Sequence, residues 1–199
     1  MALMLALPAG AASYAARSAC CAALLAAYAA VARPRMAGFW RAVAWGVPVG
    51  LAVFALWTWP ERFEWYRRFL VAGSAAAQPS PSPYDPAVCG WPLAVARLAG
   101  SAFVIAPAEE LFFRSFLYRR LQRREWESVD MKSFDAGAFA WTVGLFALEH
   151  DRFLAGALAG AAYGILAMRR GLGAAVAAHV STNLALGVYV VSRGAWAFW

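Results

Sequence analysis

Apolar residues recur along this chain in six long runs, broken by short polar or basic stretches. The runs lie within Leu5–Ala32, Phe39–Trp59, Trp91–Tyr118, Phe134–His150, Phe153–Met168 and Leu172–Val191. A helix needs about 20 apolar residues to cross a bilayer, and in hydrocarbon only helices and closed barrels satisfy their own backbone. The pattern predicts an all-α, polytopic transmembrane helical bundle of about six spans. The first run is Ala-rich and carries Arg17. A signal peptide is the alternative there, but its basic region should precede the apolar run, and Arg17 comes after Met1–Ala16. The fifth run holds Gly156, Gly160 and Gly164 at four-residue spacing, a smooth helical stripe that lets a neighbouring backbone approach.

Between the second and third runs lies Gln78–Pro86, rich in Pro and Ser, which cannot continue a helix. It divides the chain into an accessory N-terminal transmembrane hairpin (1–77), a Pro/Ser-rich linker (78–90) and a core (91–199) that contains every candidate site residue.

Composition supports the membrane reading. Hydrophobic residues make up 63% and charged residues 15%, against about half and a quarter in soluble domains. Ten tryptophans, many near the ends of runs, fit interfacial belts. The net charge of +7 comes from basic residues between runs and not from a nucleic-acid motif. Cys20, Cys21 and Cys89 form neither a CxxC pair nor a Cys/His cluster. Arg33, Arg35 and Arg41, then Arg119, Arg120, Arg123, Arg124 and Lys132, then Arg169 and Arg170 fall in three loops on one side of a six-span bundle. The positive-inside rule makes that side cytoplasmic and turns both termini outward. Arg62, Arg67 and Arg68 oppose this, with Glu61 and Glu64 among them.

Against that background the adjacent carboxylates Glu109 and Glu110, inside the third run, stand out. An ionised carboxylate in hydrocarbon costs several kcal/mol, so ionisable groups there mark function by default. Neighbouring helical residues point about 100° apart, so the two glutamates serve different roles. Glu110 and Arg114 are four apart and share a face, where an ion pair offsets the buried charge. Glu109 has no such partner and is the candidate general base. The chain has two histidines, His150 and His179, both in apolar runs. His179 and Asn183 share a helix face, and an amide beside a histidine can donate to a developing oxyanion. A packed polar cluster is the bland alternative, since His and Asn also join helices by hydrogen bonds.

Glu109-Glu110-x-x-x-Arg114, Phe146-x-x-x-His150 and His179-x-x-x-Asn183 match, in order and type, the three motifs of the CPBP family. The sequence over about 91–191 thus resembles these intramembrane proteases, the type II CAAX prenyl endopeptidases and bacteriocin-processing (Abi) proteins. Glu149-His150-Asp151-Arg152 and the final Gly-Ala-Trp-Ala-Phe-Trp are similar to a bacterial subgroup found beside exosortase sorting systems. The resemblance implies a hydrolase of the bacterial inner membrane, acting on a membrane protein or peptide. It implies that Glu109 takes a proton from water that His150 holds, that His179 and Asn183 form the oxyanion hole, and that Glu110 and Arg114 support the site. The family is often labelled metalloprotease. Glu109, His150 and His179 would be the ligands of a divalent metal such as zinc, but the glutamate mechanism needs no cofactor, and none is expected. Two further readings compete: a non-proteolytic immunity or scaffold protein of the same fold, and, more remotely, a proton-coupled transporter. Counting along the runs at 1.5 Å per residue, Glu109 and His179 fall near mid-membrane and His150 near the far interface. The three meet only if the fourth helix starts above the cytoplasmic interface, and the site then opens to a cytoplasm-connected cavity.

Overall fold

Each of the six runs contains a helix in the computed structural model, which describes residues 10–32, 38–70 and 81–199. The long elements are α1 (Ala11–Ala32), α2 (Phe39–Thr58), α5 (Trp91–Gln122), α6 (Ala136–Leu148), α7 (Phe153–Arg170) and α8 (Leu172–Arg193). Short helix α3 (Glu64–Leu70) precedes the Pro/Ser-rich linker, and α4 (Pro86–Cys89) lies within its end. Residues 78–80 of that stretch, the start of the first run and Arg33 and Arg35 lie outside the described residues. No strand occurs among the described residues, and the protein is an all-α bundle.

Among the described residues three helical segments are long and apolar enough to cross a membrane: Trp40–Arg62, which is α2 with the turn that follows it, α5 and α8. The 13 residues of α6 measure about 20 Å, well short of the ~30 Å hydrocarbon core. Asp135 starts α6 by accepting from the Ala138 amide at 2.7 Å. The helix ends at Leu148, so the predicted fourth run overshoots and His150 lies in the turn beyond.

The 32 residues of α5 are not one regular helix. Two wider π segments interrupt it, Ser101–Ile105 and Leu111–Leu117. The first has a cause in the sequence. Pro107 lacks an amide hydrogen and its ring crowds the carbonyl four residues back. The preceding turn widens, and the Ala106 amide bonds to Ser101, five residues back.

Small residues set the packing. Gly46 and Gly50 of α2 lie directly on α8, where a Cβ on Gly46 would come within 2.5 Å of the Ala177 Cβ. The Thr182 hydroxyl donates to the Gly50 carbonyl at 2.8 Å across the same seam. The Gly156–Gly160–Gly164 stripe faces α6: added Cβ atoms there would meet Ala147, Phe146 and Phe139. Between these seams Val53, Phe113, Phe146, Tyr163, Leu166 and a set of alanines form the core.

The α2–α8 seam leaves no room for a side chain at Gly50, where the Ala178 carbonyl would block it. Replacing Gly50 by leucine should force the helices apart and destabilise the fold by about 3 kcal/mol or more. Thermal unfolding in detergent would show this as a clear drop in melting temperature, and an unchanged midpoint would contradict the seam.

Candidate active site

The site is built around Glu110, the fully buried carboxylate of α5. Its Oε2 lies 3.2 Å from Arg114 Nε, one turn along. Its Oε1 lies 3.0 Å from Nδ1 of His179, carried by α8. A carboxylate can only accept, so Nδ1 holds the proton and donates. Arg114 in turn donates from a second guanidinium nitrogen to the Gly160 carbonyl at 3.0 Å. Its Cζ sits 4.5 Å from the centre of the Phe146 ring. One buried charge pair thus links α5, α6, α7 and α8.

With Nδ1 committed to Glu110, the other nitrogen of His179 faces Glu109. The distance from Nε2 to Glu109 Oε2 is 3.7 Å, and the Glu109 side chain keeps 25% of its exposure. His179 is also wedged by rings. Tyr163 of α7 stacks on it at 4.8 Å and 23°, and the Phe146 edge meets it at 5.7 Å. The Tyr163 hydroxyl donates to Thr182 Oγ1 at 2.7 Å, which locks the stacking ring in turn.

His150 is oriented locally. Its Nδ1 lies 2.8 Å from the Phe146 carbonyl, which can only accept, so Nδ1 carries the proton and Nε2 presents a lone pair. Phe146 and Trp57 pack against its ring at 4.8 and 5.2 Å. Asn183 donates one amide hydrogen to the Ser101 carbonyl at 3.0 Å, in the first π segment of α5. The second amide hydrogen stays available.

His150, His179 and Asn183 line one cavity of about 280 Å³. Glu109 does not line it and adjoins it through His179 Nε2. The remaining wall includes Glu149, Asp151 and Arg152 of the α6–α7 turn, Trp57, Arg97 and the segment Ala197–Trp199. Arg152 pairs with Glu61 and stacks over Phe198, and Arg97 packs over Tyr14, Tyr84 and Trp199. These contacts tie the last residues of the chain over the cavity.

Residues 91–185 match the family model described as type II CAAX prenyl endopeptidase, Rce1-like. That span holds all seven motif residues. Residues 91–185 belong to the CAAX protease (CPBP) family. The protein is an integral membrane protein, and the family that this span matches comprises CAAX-type intramembrane proteases. Neither the curated proteins nor the solved structures yielded a match.

In this site the expected pairing of Glu110 with Arg114 is present; His150, His179 and Asn183 line one cavity, while Glu109, expected to meet both histidines, stands beside His179 and outside the lining. The side on which the cavity lies needs correction. A cytoplasm-connected cavity was expected beside the basic loops. The cavity instead lies at the opposite end, walled by the α6–α7 turn, while Arg41, Lys132, Arg169 and Arg170 gather at the other. The reason is that α6 is short and delivers His150 in the turn after its C-terminus. Among the described residues no three His, Cys, Asp or Glu side chains, Glu109, His150 and His179 included, are grouped closely enough to hold an ion as they stand. Tyr163 and Trp57 had no sequence signal, since an aromatic in an apolar run carries none of its own, and the subgroup likeness of the final Gly-Ala-Trp-Ala-Phe-Trp did not indicate that Ala197–Trp199 walls the cavity.

Arg114→Leu would leave the Glu110 carboxylate buried without its countercharge. Removing one partner of such a pair costs about 3–5 kcal/mol, so the variant should melt far below the parent in detergent. Arg114→Lys should lose less stability, and equal melting of all three proteins would argue against the charge pair.

Proposed function

We propose that this chain is an endopeptidase that hydrolyses a peptide bond with water activated by Glu109. The observation that carries the reading is the placement of His179 between two carboxylates, with Nδ1 held by Glu110 and Nε2 turned toward Glu109. In this mechanism Glu109 removes a proton from the attacking water, and His150 Nε2 accepts the water's other hydrogen bond. The hydroxide adds to the scissile carbonyl carbon. The oxyanion that forms accepts from the free Asn183 amide hydrogen and from His179 Nε2–H, when that ring carries both protons. Collapse of the tetrahedral intermediate breaks the C–N bond, and the Glu109 carboxyl passes its proton to the leaving amine. Glu110 and Arg114 touch no substrate in this scheme and position His179. No step runs through a metal.

We assign the chemistry to residues 91–199 and a framing role to 1–77, whose α2 supplies Trp57 to the cavity. In a bacterial inner membrane the positive-inside rule would put Arg41, Lys132, Arg169 and Arg170 in the cytoplasm. The catalytic cavity would then open outward, together with the segment Trp196–Trp199. That side suits a substrate already carried across the membrane, as in an exosortase-type sorting context.

Glu109→Gln and His150→Ala should each reduce turnover of a membrane-peptide substrate by at least about 100-fold. Asn183→Ala should cost about 100- to 1,000-fold, the usual worth of one oxyanion donor. Folding is checked by unchanged melting. Full activity in Glu109→Gln would sink the mechanism and favour an immunity or scaffold role for the same cluster.

Orientation has its own test. In a background with Cys20, Cys21 and Cys89 replaced, Asp151→Cys should react with a membrane-impermeant maleimide from outside intact cells, and Lys132→Cys only after lysis. The reverse pattern would invert the topology.

A further inference from the structure

At the end of the bundle away from the catalytic cavity, α2, α8 and the α7–α8 turn border a groove of about 740 Å³. Its residues fall into two chemical zones. Arg41, Lys132, Arg169 and Arg170 form the charged zone, and all four are exposed. None of them forms an ion pair among the described residues. The apolar zone includes Val47, Phe103, Val176 and Val180. Trp45 lies where the two meet, with the Arg170 Cζ 3.9 Å from a ring centre of its indole. None of Glu109, His150, His179 or Asn183 lines this groove.

Four converging cations repel one another unless an anion lies between them. A ligand for this groove must therefore pair a negative head with an apolar body. A free phosphate would answer the charge and leave the apolar zone empty. A neutral lipid would do the reverse. The surrounding bilayer offers a molecule that meets both demands, and basic pockets between transmembrane helices are known receivers of anionic head groups. From Leu172 to Val180 the α8 wall descends about 12 Å, a depth that an acyl chain reaches from a head group at the helix end.

We propose that this groove is a binding site for one anionic phospholipid. The phosphodiester lies among Arg41, Lys132, Arg169 and Arg170. An acyl chain runs down α8 past Val176 and Val180 toward Phe103. The lipid covers the outer edge of the α2–α8 seam, the contact on which Gly46 and Gly50 depend.

The test uses the full chain, reconstituted in vesicles of equal phosphatidylglycerol and phosphatidylcholine, then extracted in mild detergent and weighed with its bound lipid by native mass spectrometry. Retained lipid should be enriched in phosphatidylglycerol. Replacing Arg41 and Arg170 by glutamine should lower its affinity about fivefold per charge. Arg123→Gln with Arg124→Gln, outside the groove, should keep the enrichment. Val180→Trp, which fills the apolar zone and spares the cations, should lower retention while circular dichroism stays unchanged. No enrichment in the parent protein would overturn the proposal. So would equal loss in the Arg123/Arg124 variant, which would mean diffuse surface charge, or full retention in Val180→Trp, which would mean head-group adsorption only.

Discussion

Everything in this molecule that resembles chemistry depends on one buried carboxylate. Glu110 has no exposed surface, and its two oxygens face different helices: Arg114 on its own, His179 on α8. A lone charge in such a place would be prohibitive, and a well-matched pair is often no better than apolar packing for stability alone. What the pair provides is definition. It gives His179 one tautomer and one ring direction, and it places the arginine against the Gly160 carbonyl and the Phe146 face. The neighbouring carboxylate, Glu109, is left with partial exposure and no arginine.

Phe146 is the apolar counterpart of Glu110. Its ring lies against His150, His179, Tyr163, Phe113 and the Arg114 guanidinium. The two histidines thus share one aromatic side chain although one stands in the α6–α7 turn and the other on α8. That surface exists because Gly160 offers no side chain: a Cβ there would sit 3.1 Å from the Phe146 ring. The glycine stripe of α7 is therefore part of how the site is shaped, although it supplies no reactive atom.

The helical segments, the membrane character and the Glu110–Arg114 pair were legible in the sequence, because each depends on short-range periodicity. The contact between Glu110 and His179 was not, since the two lie 69 residues apart and no local rule joins them. The side on which the cavity opens was not legible either. Rise along the fourth run already puts His150 near the interface far from the basic loops, and the cavity lies there, at the turn after Leu148; a cytoplasmic opening follows only from requiring Glu109, His150 and His179 to meet at one depth. Composition also led to a simple division between a bland N-terminal half and a reactive C-terminal half. Yet α2 is pressed onto α8 more tightly than its lack of motifs implies, and Trp57 meets His150.

The widened turn at Ser101–Ile105 has a meaning beyond the proline that causes it. Five-back bonding inserts one residue without adding a full rise, which shifts the angular phase of everything downstream by roughly 100°. The phase of α5 at Glu109 and Glu110 is thus set several residues earlier, in a stretch with no ionisable group. Rewinding that stretch to four-back bonding with every residue kept would swing both carboxylates away from α8, whereas deleting one residue along with the widened turn would leave them on nearly the same face. The direction of the glutamates is in this sense set by the residue that the widened turn absorbs as much as by their own identity.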